Sequence, residues 1–124
     1  MGDPLTEKII GAAIEVHRIL GPGLLETVYE EALCHEFELR GIDYQRQAPV
    51  QMTYKDKAIK GQRIDLIVEE DGDRVVIDLK SVSKLPEIAT AQVLSYLKST
   101  KLKRGLLINF GEQRLVDGVR RLSL

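Results

Sequence analysis

Residues 63–80 read RIDLIVEEDGDRVVIDLK and carry the clearest structural signal in the chain. Two runs rich in β-branched residues flank Asp71-Gly72, and an Asp-Gly pair between such runs is the strongest short signal for a two-residue hairpin turn. If these two residues form the turn, Glu70 lies opposite Asp73. The same register then places Asp65 directly opposite Asp78.

Two carboxylates that face each other across a hairpin are unfavourable. The Cβ atoms of directly opposed residues lie roughly 4.5–5.5 Å apart, and like charges at that spacing destabilise a sheet. A divalent cation that binds carboxylate oxygens would compensate them. The register of Asp65 and Asp78 therefore predicts a metal site.

The hairpin has two faces, because successive strand side chains point to opposite sides of a sheet. By this alternation one face is wholly apolar, and the other is mixed and charged. The apolar face comprises Ile64, Leu66, Val68, Val75, Ile77 and Leu79, and the mixed face comprises Arg63, Asp65, Ile67, Val76, Asp78 and Lys80. A solvated outer face would also be polar, so simple exposure is the alternative explanation of these charges.

The composition is that of a soluble globular protein. The chain has 124 residues, 44% hydrophobic and 30% charged, which predicts a single domain over 1–124. No apolar run approaches the roughly 20 residues of a membrane span, and the N-terminus lacks a signal-peptide pattern. A cytoplasmic location is therefore expected. The single cysteine, Cys34, excludes a disulfide within the chain and a multi-cysteine metal site.

The overall charge does not indicate a nucleic-acid-binding protein, because the net charge is −1. Its distribution is uneven, however. Residues 1–73 carry 8 Lys/Arg and 15 Asp/Glu, whereas residues 74–124 carry 10 and 4. Such asymmetry is typical of a protein with one side that faces a polyanion.

Helical and strand periodicities alternate along the chain. The first helix begins at Asp3-Pro4 and ends at Gly21, and buries the stripe of Leu5, Ile9, Ala13, Val16 and Leu20. The remaining predicted elements are a helix over 24–40, strands over 42–54, 58–68 and 74–82, a helix over 87–98 and a strand over 106–110. The last strand follows a helix, so a parallel crossover is expected. The fold class is therefore α/β (α+β), with a central mixed four-stranded sheet flanked by helices.

The predicted buried faces of the second and third helices follow from spacing alone. In the second helix the expected stripe is Leu25, Val28, Ala32 and Leu39, extended by Leu33 and Phe37, and in the third it is Ile88, Ala91, Leu94 and Leu97. Four glutamates of the second helix, Glu30, Glu31, Glu36 and Glu38, are expected on a solvated face.

Asp65 and the later Asp78-Leu79-Lys80 have the form D…(D/E)xK. Because one residue separates them, Asp78 and Lys80 lie on the same strand face while Leu79 points the other way. A metal held by the two carboxylates would polarise a phosphoryl oxygen and lower the pKa of a water molecule. Lys80 would then position that water or stabilise developing negative charge.

This arrangement resembles the PD-(D/E)XK nuclease superfamily, and within it the GxxExxY family. The naming motif is matched by Gly23-Leu24-Leu25-Glu26-Thr27-Val28-Tyr29. Further matching segments are residues 15–18, 20–22, 65–68, 78–82, 91–97 and 105–111. Ile64 stands where the superfamily name has Pro, and Asp78 is the shorter of the two permitted acids.

The resemblance implies roles for individual residues. Asp65, Asp78, Glu26 and the Leu79 carbonyl would bind Mg²⁺, with Mn²⁺ as a substitute. Lys80 would be the catalytic lysine, and Gln92 would contact the catalytic site from its helix. Tyr29 and Tyr96 are expected to serve packing or to support the substrate side, and His17 is expected to be structural.

Three functions follow from these observations. The first is a Mg²⁺-dependent phosphodiesterase that acts on DNA, which the resemblance favours. A minimal nuclease that cuts both strands often acts as a homodimer. The second is a nucleic-acid-binding or assembly module that keeps the fold but has little or no catalysis. The third is an interaction domain with an exposed charged sheet.

Overall fold

The computed structural model describes residues 3–124. Its helices and strands are α1 Pro4–Leu20, α2 Glu26–Arg40, β1 Asp43–Tyr54, β2 Lys57–Glu70, β3 Asp73–Lys80, α3 Glu87–Thr100, β4 Arg104–Asn109 and β5 Val119–Ser123, with a short 3₁₀ helix at Leu115–Gly118. α1 begins as predicted, because the Asp3 carboxylate accepts hydrogen bonds from the backbone N–H groups of Leu5 and Thr6. Within 3–124, no helix is both long and apolar enough to cross a membrane.

The five strands form one mixed sheet in the order β1-β2-β3-β4-β5. β1, β2 and β3 are antiparallel neighbours, β4 is parallel to β3, and β5 is antiparallel to β4. The predicted fold class and the parallel crossover are confirmed. The sheet has five strands rather than four, because residues 119–123 are half-exposed and their weak apolar alternation did not predict a strand.

Both faces of the sheet are covered. α1 and α2 pack on the face that presents Leu66, Val68, Val75, Ile77 and Leu79. On the opposite face, Ile67 and Val76 pack beneath Tyr96 and Leu97 of α3. The face that carries Asp78 is therefore not a solvated outer surface, and the alternative of simple exposure is wrong.

The buried faces of α2 and α3 differ from the predicted stripes. Of the predicted residues of the second helix, Leu33 and Phe37 are buried as expected, whereas Val28, Leu39 and Leu25, which precedes α2, are exposed. The other buried residues of α2 are Tyr29, Glu30 and Cys34. In α3, Ile88 and Ala91 are exposed and Leu94 is half-buried, while Ala89, Val93, Tyr96 and Leu97 are buried. Short amphipathic helices with several apolar residues admit more than one stripe, and only the position of the sheet selects between them.

The predicted hairpin turn is confirmed, and so is the predicted register as far as Leu66, but the predicted direct pairing of Asp65 with Asp78 does not form. Asp71 and Gly72 have φ angles of 52° and 82°, which is the pattern of a type I′ turn. The register runs from Glu70 opposite Asp73 to Leu66 opposite Ile77, where the pairing of β2 with β3 stops. Asp65 is the first residue of β2 beyond that point.

β1 and β2 remain paired past Asp65, but at that point the side chains of both strands switch to the opposite faces of the sheet. Val68 and Leu66 face α1 and α2, whereas Ile64 packs on the α3 side with Ala48. Residues 64 and 66 therefore lie on opposite faces, so strict alternation is broken and the predicted placement of Ile64 is wrong. Gln47 lies on β1 between Arg46, which pairs with Leu66, and Ala48, which pairs with Ile64, and so stands opposite Asp65. Its φ of 52° is a left-handed backbone conformation at the point where the strands exchange faces.

Candidate active site

The end of the β2–β3 pairing brings Asp65 against the backbone of β3. The Asp65 Oδ2 atom accepts a hydrogen bond of 2.7 Å from the Leu79 N–H, so the carboxylate occupies the place of a strand partner. Asp78 precedes Leu79 and is only 4% exposed. The two carboxyl groups thus lie together where β2 and β3 separate.

Both carboxyl groups are electrostatically unfavourable in this position. Burial raises the pKa of Asp65 to about 6, and the charge of Asp78 adds to this, although the Leu79 N–H opposes it. Burial also raises the pKa of Asp78, against the opposing charge of Lys80. A cation held by these oxygens would relieve the cost of ionising both groups.

Lys80 neutralises this pair only in part. Its Nζ atom lies 3.1 Å from Asp78 Oδ2, but that buried oxygen has no aligned hydrogen-bond donor. Burial disfavours the charged ammonium, yet the Asp78 carboxylate outweighs this effect and the pKa of Lys80 is raised. Lys80 is therefore a cation that stays charged beside an incompletely satisfied carboxylate.

Glu26 approaches the same site from the first turn of α2. Burial raises its pKa, the Lys80 charge opposes this, and the Asp65 and Glu30 charges raise it further. The helix begins at Glu26 after Leu25, which provides no side-chain cap, so Glu26 also lies at the positive end of the helix dipole. The three acids Glu26, Asp65 and Asp78 thus share one electrostatic environment with Lys80.

Glu30 belongs to the surroundings of the site, and its predicted place on a solvated face is wrong. It is 6% exposed, and its carboxylate accepts hydrogen bonds from Arg46 Nε at 2.7 Å and from Gln47 Nε2 at 2.8 Å. The same Gln47 nitrogen lies 3.5 Å from Asp65 Oδ1. Glu30 follows Glu26 by one helical turn, and this spacing was the available sequence signal.

Tyr96 and Gln92 approach from α3. Tyr96 is buried, and its hydroxyl donates to Gln62 Oε1 at 3.2 Å. Burial and the charges of Asp78 and Asp65 raise its pKa, and the Gln92 side chain lies close enough to its hydroxyl to oppose that shift. Within residues 3–124, the carboxylate of Asp65 accepts from the Leu79 N–H and from Gln47 but not from Gln92, so the contact of Gln92 with the site stays a prediction.

Tyr29 organises the loop that presents Glu26. Its hydroxyl donates to the Gly21 carbonyl and accepts from the Leu24 N–H, and its ring stacks on Phe110 with centroids 4.5 Å apart. The ring is fully buried. Tyr29 therefore packs and fixes the loop between α1 and α2.

Asn109 fixes the segment that follows Lys80. Its side chain accepts from the N–H groups of Val82 and Gly111 and donates to the Val82 carbonyl, at 2.9–3.0 Å, while fully buried. A Cβ atom at Gly111 would lie 2.1 Å from the Val82 oxygen, so only glycine permits this approach. In the next turn, His17 Nε2 lies 2.8 Å from the Glu112 carbonyl, in a structural contact.

The donor set fits a hard divalent cation. It consists of carboxylate oxygens, one of which lacks an aligned donor, and Mg²⁺ and Mn²⁺ prefer such ligands. The Leu79 N–H points toward β2, and since the N–H and C=O of a strand residue point the same way, its carbonyl faces the same gap. Across residues 3–124, no three acidic, histidine or cysteine side chains already lie at metal-binding spacing.

Comparison with known proteins places this geometry in a family. A search of curated proteins finds no match. Among solved structures, SSO0001 has 18% identity and a TM-score of 0.52, covering 98% of this chain and 78% of its own, which shows a shared fold alone. AF1548, a protein of unknown function, has 13% identity and a TM-score of 0.47, covering 79% of this chain and 46% of its own, so this chain spans under half of its length. The sequence pattern of the PD-(D/E)XK nuclease superfamily matches residues 3–122, and the chain therefore belongs to that superfamily.

Proposed function

We propose that this protein is a metal-dependent nuclease that hydrolyses phosphodiester bonds of DNA. The observation that carries the proposal is the buried pair Asp65 and Asp78 beside Lys80, with one Asp78 oxygen lacking an aligned donor. Two neighbouring carboxylates that are largely removed from water cost stability when both are ionised, and a bound cation would offset that cost. Superfamily membership supplies the reaction class.

The proposed ligands are Asp65, Asp78, Glu26 and the Leu79 carbonyl, binding Mg²⁺ with Mn²⁺ as a substitute. When bound there, the ion would polarise a phosphoryl oxygen and make a water molecule more acidic. Asp65 is held in place by its hydrogen bond to the Leu79 N–H, so the position of one ligand is fixed in advance.

Lys80 is the proposed catalytic lysine. Its raised pKa keeps the ammonium charged at neutral pH, which suits a group that orients the attacking water or stabilises negative charge on the phosphate. Gln92 is proposed to position the site from α3 together with Tyr96. Gln47 lies 3.5 Å from Asp65 Oδ1, and Glu30 orients Gln47 by accepting its hydrogen bond.

We further propose that the chain belongs to the GxxExxY family and that residues 1–124 form one nuclease-like domain. The contacts of Tyr29 support this assignment, since they give the Glu and Tyr of the motif a physical relation. The tyrosine fixes the loop, and the loop presents Glu26 to the site.

The test is metal-stimulated cleavage of a labelled DNA by the purified protein. Asp78→Asn and Lys80→Met should each lower the rate by about 10²–10³-fold, because each removes charge at the reacting phosphate. Matched controls are Asp117→Asn and Lys8→Met, which change the same residue types at exposed positions and should leave the rate unchanged. Absence of cleavage by the wild type with either Mg²⁺ or Mn²⁺, on DNA or RNA, would refute the proposal.

The second candidate is a nucleic-acid-binding or assembly module with little or no catalysis. The specific observation in its favour is the Lys80–Asp78 ion pair, which lets the protein neutralise one carboxylate by itself. Salt-dependent DNA binding without cleavage would support this candidate. Light scattering on the free and DNA-bound protein would test the proposed homodimer.

A further inference from the structure

The β1–β2 hairpin extends beyond the core as a basic ribbon, which we define as residues 51–63. All of these residues except the half-buried Met52 are exposed. The ribbon carries four Lys/Arg and one acidic residue, within a half of the chain that is otherwise strongly acidic. This segment is therefore a local exception to the charge of its surroundings.

The ribbon packs against the C-terminal end of α3. Met52 packs in the α3-side cluster with Leu94 and Leu102, and the Ser99 hydroxyl lies 2.9 Å from the Met52 sulfur. The segment from Lys98 to Lys103, which we call the lysine loop, is thereby placed beside the ribbon. It presents three exposed lysines, Lys98, Lys101 and Lys103.

Six lysines on these two segments have no acidic partner. Among the described residues, eight of the 18 Lys/Arg side chains form ion pairs and ten form none. The unpaired ten include Lys55, Lys57, Lys60 and the three lysines of the lysine loop, together with Arg63 of the ribbon; the other three, Lys84, Arg114 and Arg120, lie elsewhere. Tyr54 stands among the ribbon lysines, 61% exposed, with Lys55 Nζ 5.5 Å from its ring centroid. Unpaired cations around an exposed aromatic ring are suited to phosphates and bases.

Both segments lead back to the candidate active site. Gln62 of the ribbon accepts the hydrogen bond of Tyr96, and Lys98 follows Tyr96 by two residues on α3. At about 3.3 Å per strand residue, Lys60 and Lys57 lie roughly 17 and 26 Å along β2 from Asp65. This corresponds to about five to eight nucleotides at 3.4 Å each.

We propose that the basic ribbon and the lysine loop form a docking surface for a nucleic-acid backbone, which holds the strand on one side of the candidate active site. The occupant follows from charge complementarity, since regularly spaced phosphates match six unpaired lysines. The surface deepens the proposed nuclease function and rests on it for the orientation of the strand. The competing explanation is that lysines on the edge strand pair β1–β2 only prevent association with other chains.

The test is DNA binding by fluorescence anisotropy in EDTA over a range of salt concentrations, on the full chain. The first variant is Lys55→Gln/Lys57→Gln/Lys60→Gln, and the second is Lys98→Gln/Lys101→Gln/Lys103→Gln. The control is Arg18→Gln/Arg120→Gln/Arg121→Gln, which removes the same charge from α1 and β5. Arg18 and Arg121 form only exposed ion pairs, so little stability is lost in the control.

Each lysine variant should bind about tenfold or more weakly than the control at roughly 0.1 M salt. Its slope of log K against log salt should fall by about 2–3, because each lost phosphate contact contributes about 0.9. Equal behaviour of both lysine variants and the control, or self-association without a change in slope, would overturn the proposal.

A second measurement separates this surface from the catalytic proposal. With Mg²⁺, a DNA of about four nucleotides is too short to reach the ribbon lysines, so the wild type and the ribbon variant should cut it equally, whereas a DNA of about 12 base pairs should be cut more slowly by the variant. Lysine-dependent binding in EDTA without cleavage by the wild type would retain the docking surface and remove the nuclease. Cleavage that is equally fast in the wild type and in both lysine variants would retain the nuclease and remove the docking surface.

Discussion

Two buried polar clusters lie at the same end of the sheet, and they are built in opposite ways. Around Asn109, every polar atom of the side chain has a partner in the neighbouring backbone. Around Asp78, two carboxyl groups share a buried space and one oxygen lacks an aligned donor. The first cluster stabilises the fold, whereas the second destabilises it in the absence of a cation.

The contrast shows how a small domain divides stability from chemistry. Satisfied polar groups hold the segments on either side of the site, namely the loop before Glu26 and the segment after Lys80. The carboxyl groups of Asp65 and Asp78, whose ionisation is disfavoured by burial, lie between these two segments. Changes in the first kind of cluster should lower stability, and changes in the second should lower activity while stability rises.

The largest expected effect on stability is that of Asn109→Ala. The substitution leaves the N–H groups of Val82 and Gly111 and the Val82 carbonyl without their partners, and should lower the free energy of unfolding by about 3 kcal/mol or more. Urea denaturation measures this directly. The exposed substitution Gln45→Ala is the control, and a loss no larger than that of the control would contradict the assigned role of Asn109.

Tyr29→Phe should have a smaller effect. It keeps the ring that stacks on Phe110 but removes the hydroxyl that bonds Gly21 and Leu24, at an expected loss of about 1–2 kcal/mol. Tyr54→Phe, at an exposed position, provides the matched control. If the variant is as stable as the wild type, the loop before Glu26 is held by other contacts.

Asp65→Asn should change stability least, and in the opposite direction. The pKa of Asp65 rises to about 6 in the fold, so between pH 4 and 6 the native state binds a proton that the unfolded chain has released. The stability of the metal-free wild type therefore falls as pH rises through this window. Asparagine keeps an acceptor for the Leu79 N–H but removes the charge, and should gain about 1 kcal/mol at pH 7 after allowance for partial exposure.

Thermal denaturation in EDTA at pH 7 and pH 4 measures the effect of Asp65→Asn. The gain should be present at pH 7 and absent near pH 4, where the wild-type carboxyl is already protonated. Excess Mn²⁺ should raise the melting temperature of the wild type and not that of the variant. A variant less stable than the wild type at pH 7 would show that Asp65 stabilises the fold even without a cation.

The hairpin was predictable because its determinants are local. Asp71-Gly72 fixes the turn through its left-handed backbone conformation, and the turn fixes the register as far as Leu66 and Ile77. Extending that register by one residue brings Asp65 close to Asp78, although the strands separate there and Asp65 bonds the Leu79 N–H instead of pairing with Asp78. The sequence alone did not distinguish a metal site from a solvated charged face. The position of α3 makes that distinction, because the helix covers the face that carries Asp78.

The errors concern contacts between elements that are distant in sequence. The sequence predicts an exposed Glu30 because glutamates on a helix are ordinarily exposed. The structure buries it because its partners Arg46 and Gln47 lie on β1, which is distant in sequence. Ile64 was placed on the wrong face because strand alternation assumes a regular strand. The reversal at Gln47 and Asp65 breaks that assumption, and nothing in the local propensities of these residues announces it.

From the amino-acid sequence follow the order of helices and strands as far as β4, the hairpin turn with its register up to Leu66, and the D…(D/E)xK pattern, since turn chemistry and periodicity act over a few residues. The tertiary structure selects the buried face of each helix, the residue at which β2 and β3 stop pairing, and the partners of the buried polar groups. These features depend on how the sheet and helices meet. The carboxylates of Asp65 and Asp78 become a candidate metal site because packing buries Asp78 beside Asp65 and leaves the pair to be neutralised in part by the Lys80 ammonium, 3.1 Å from Asp78 Oδ2.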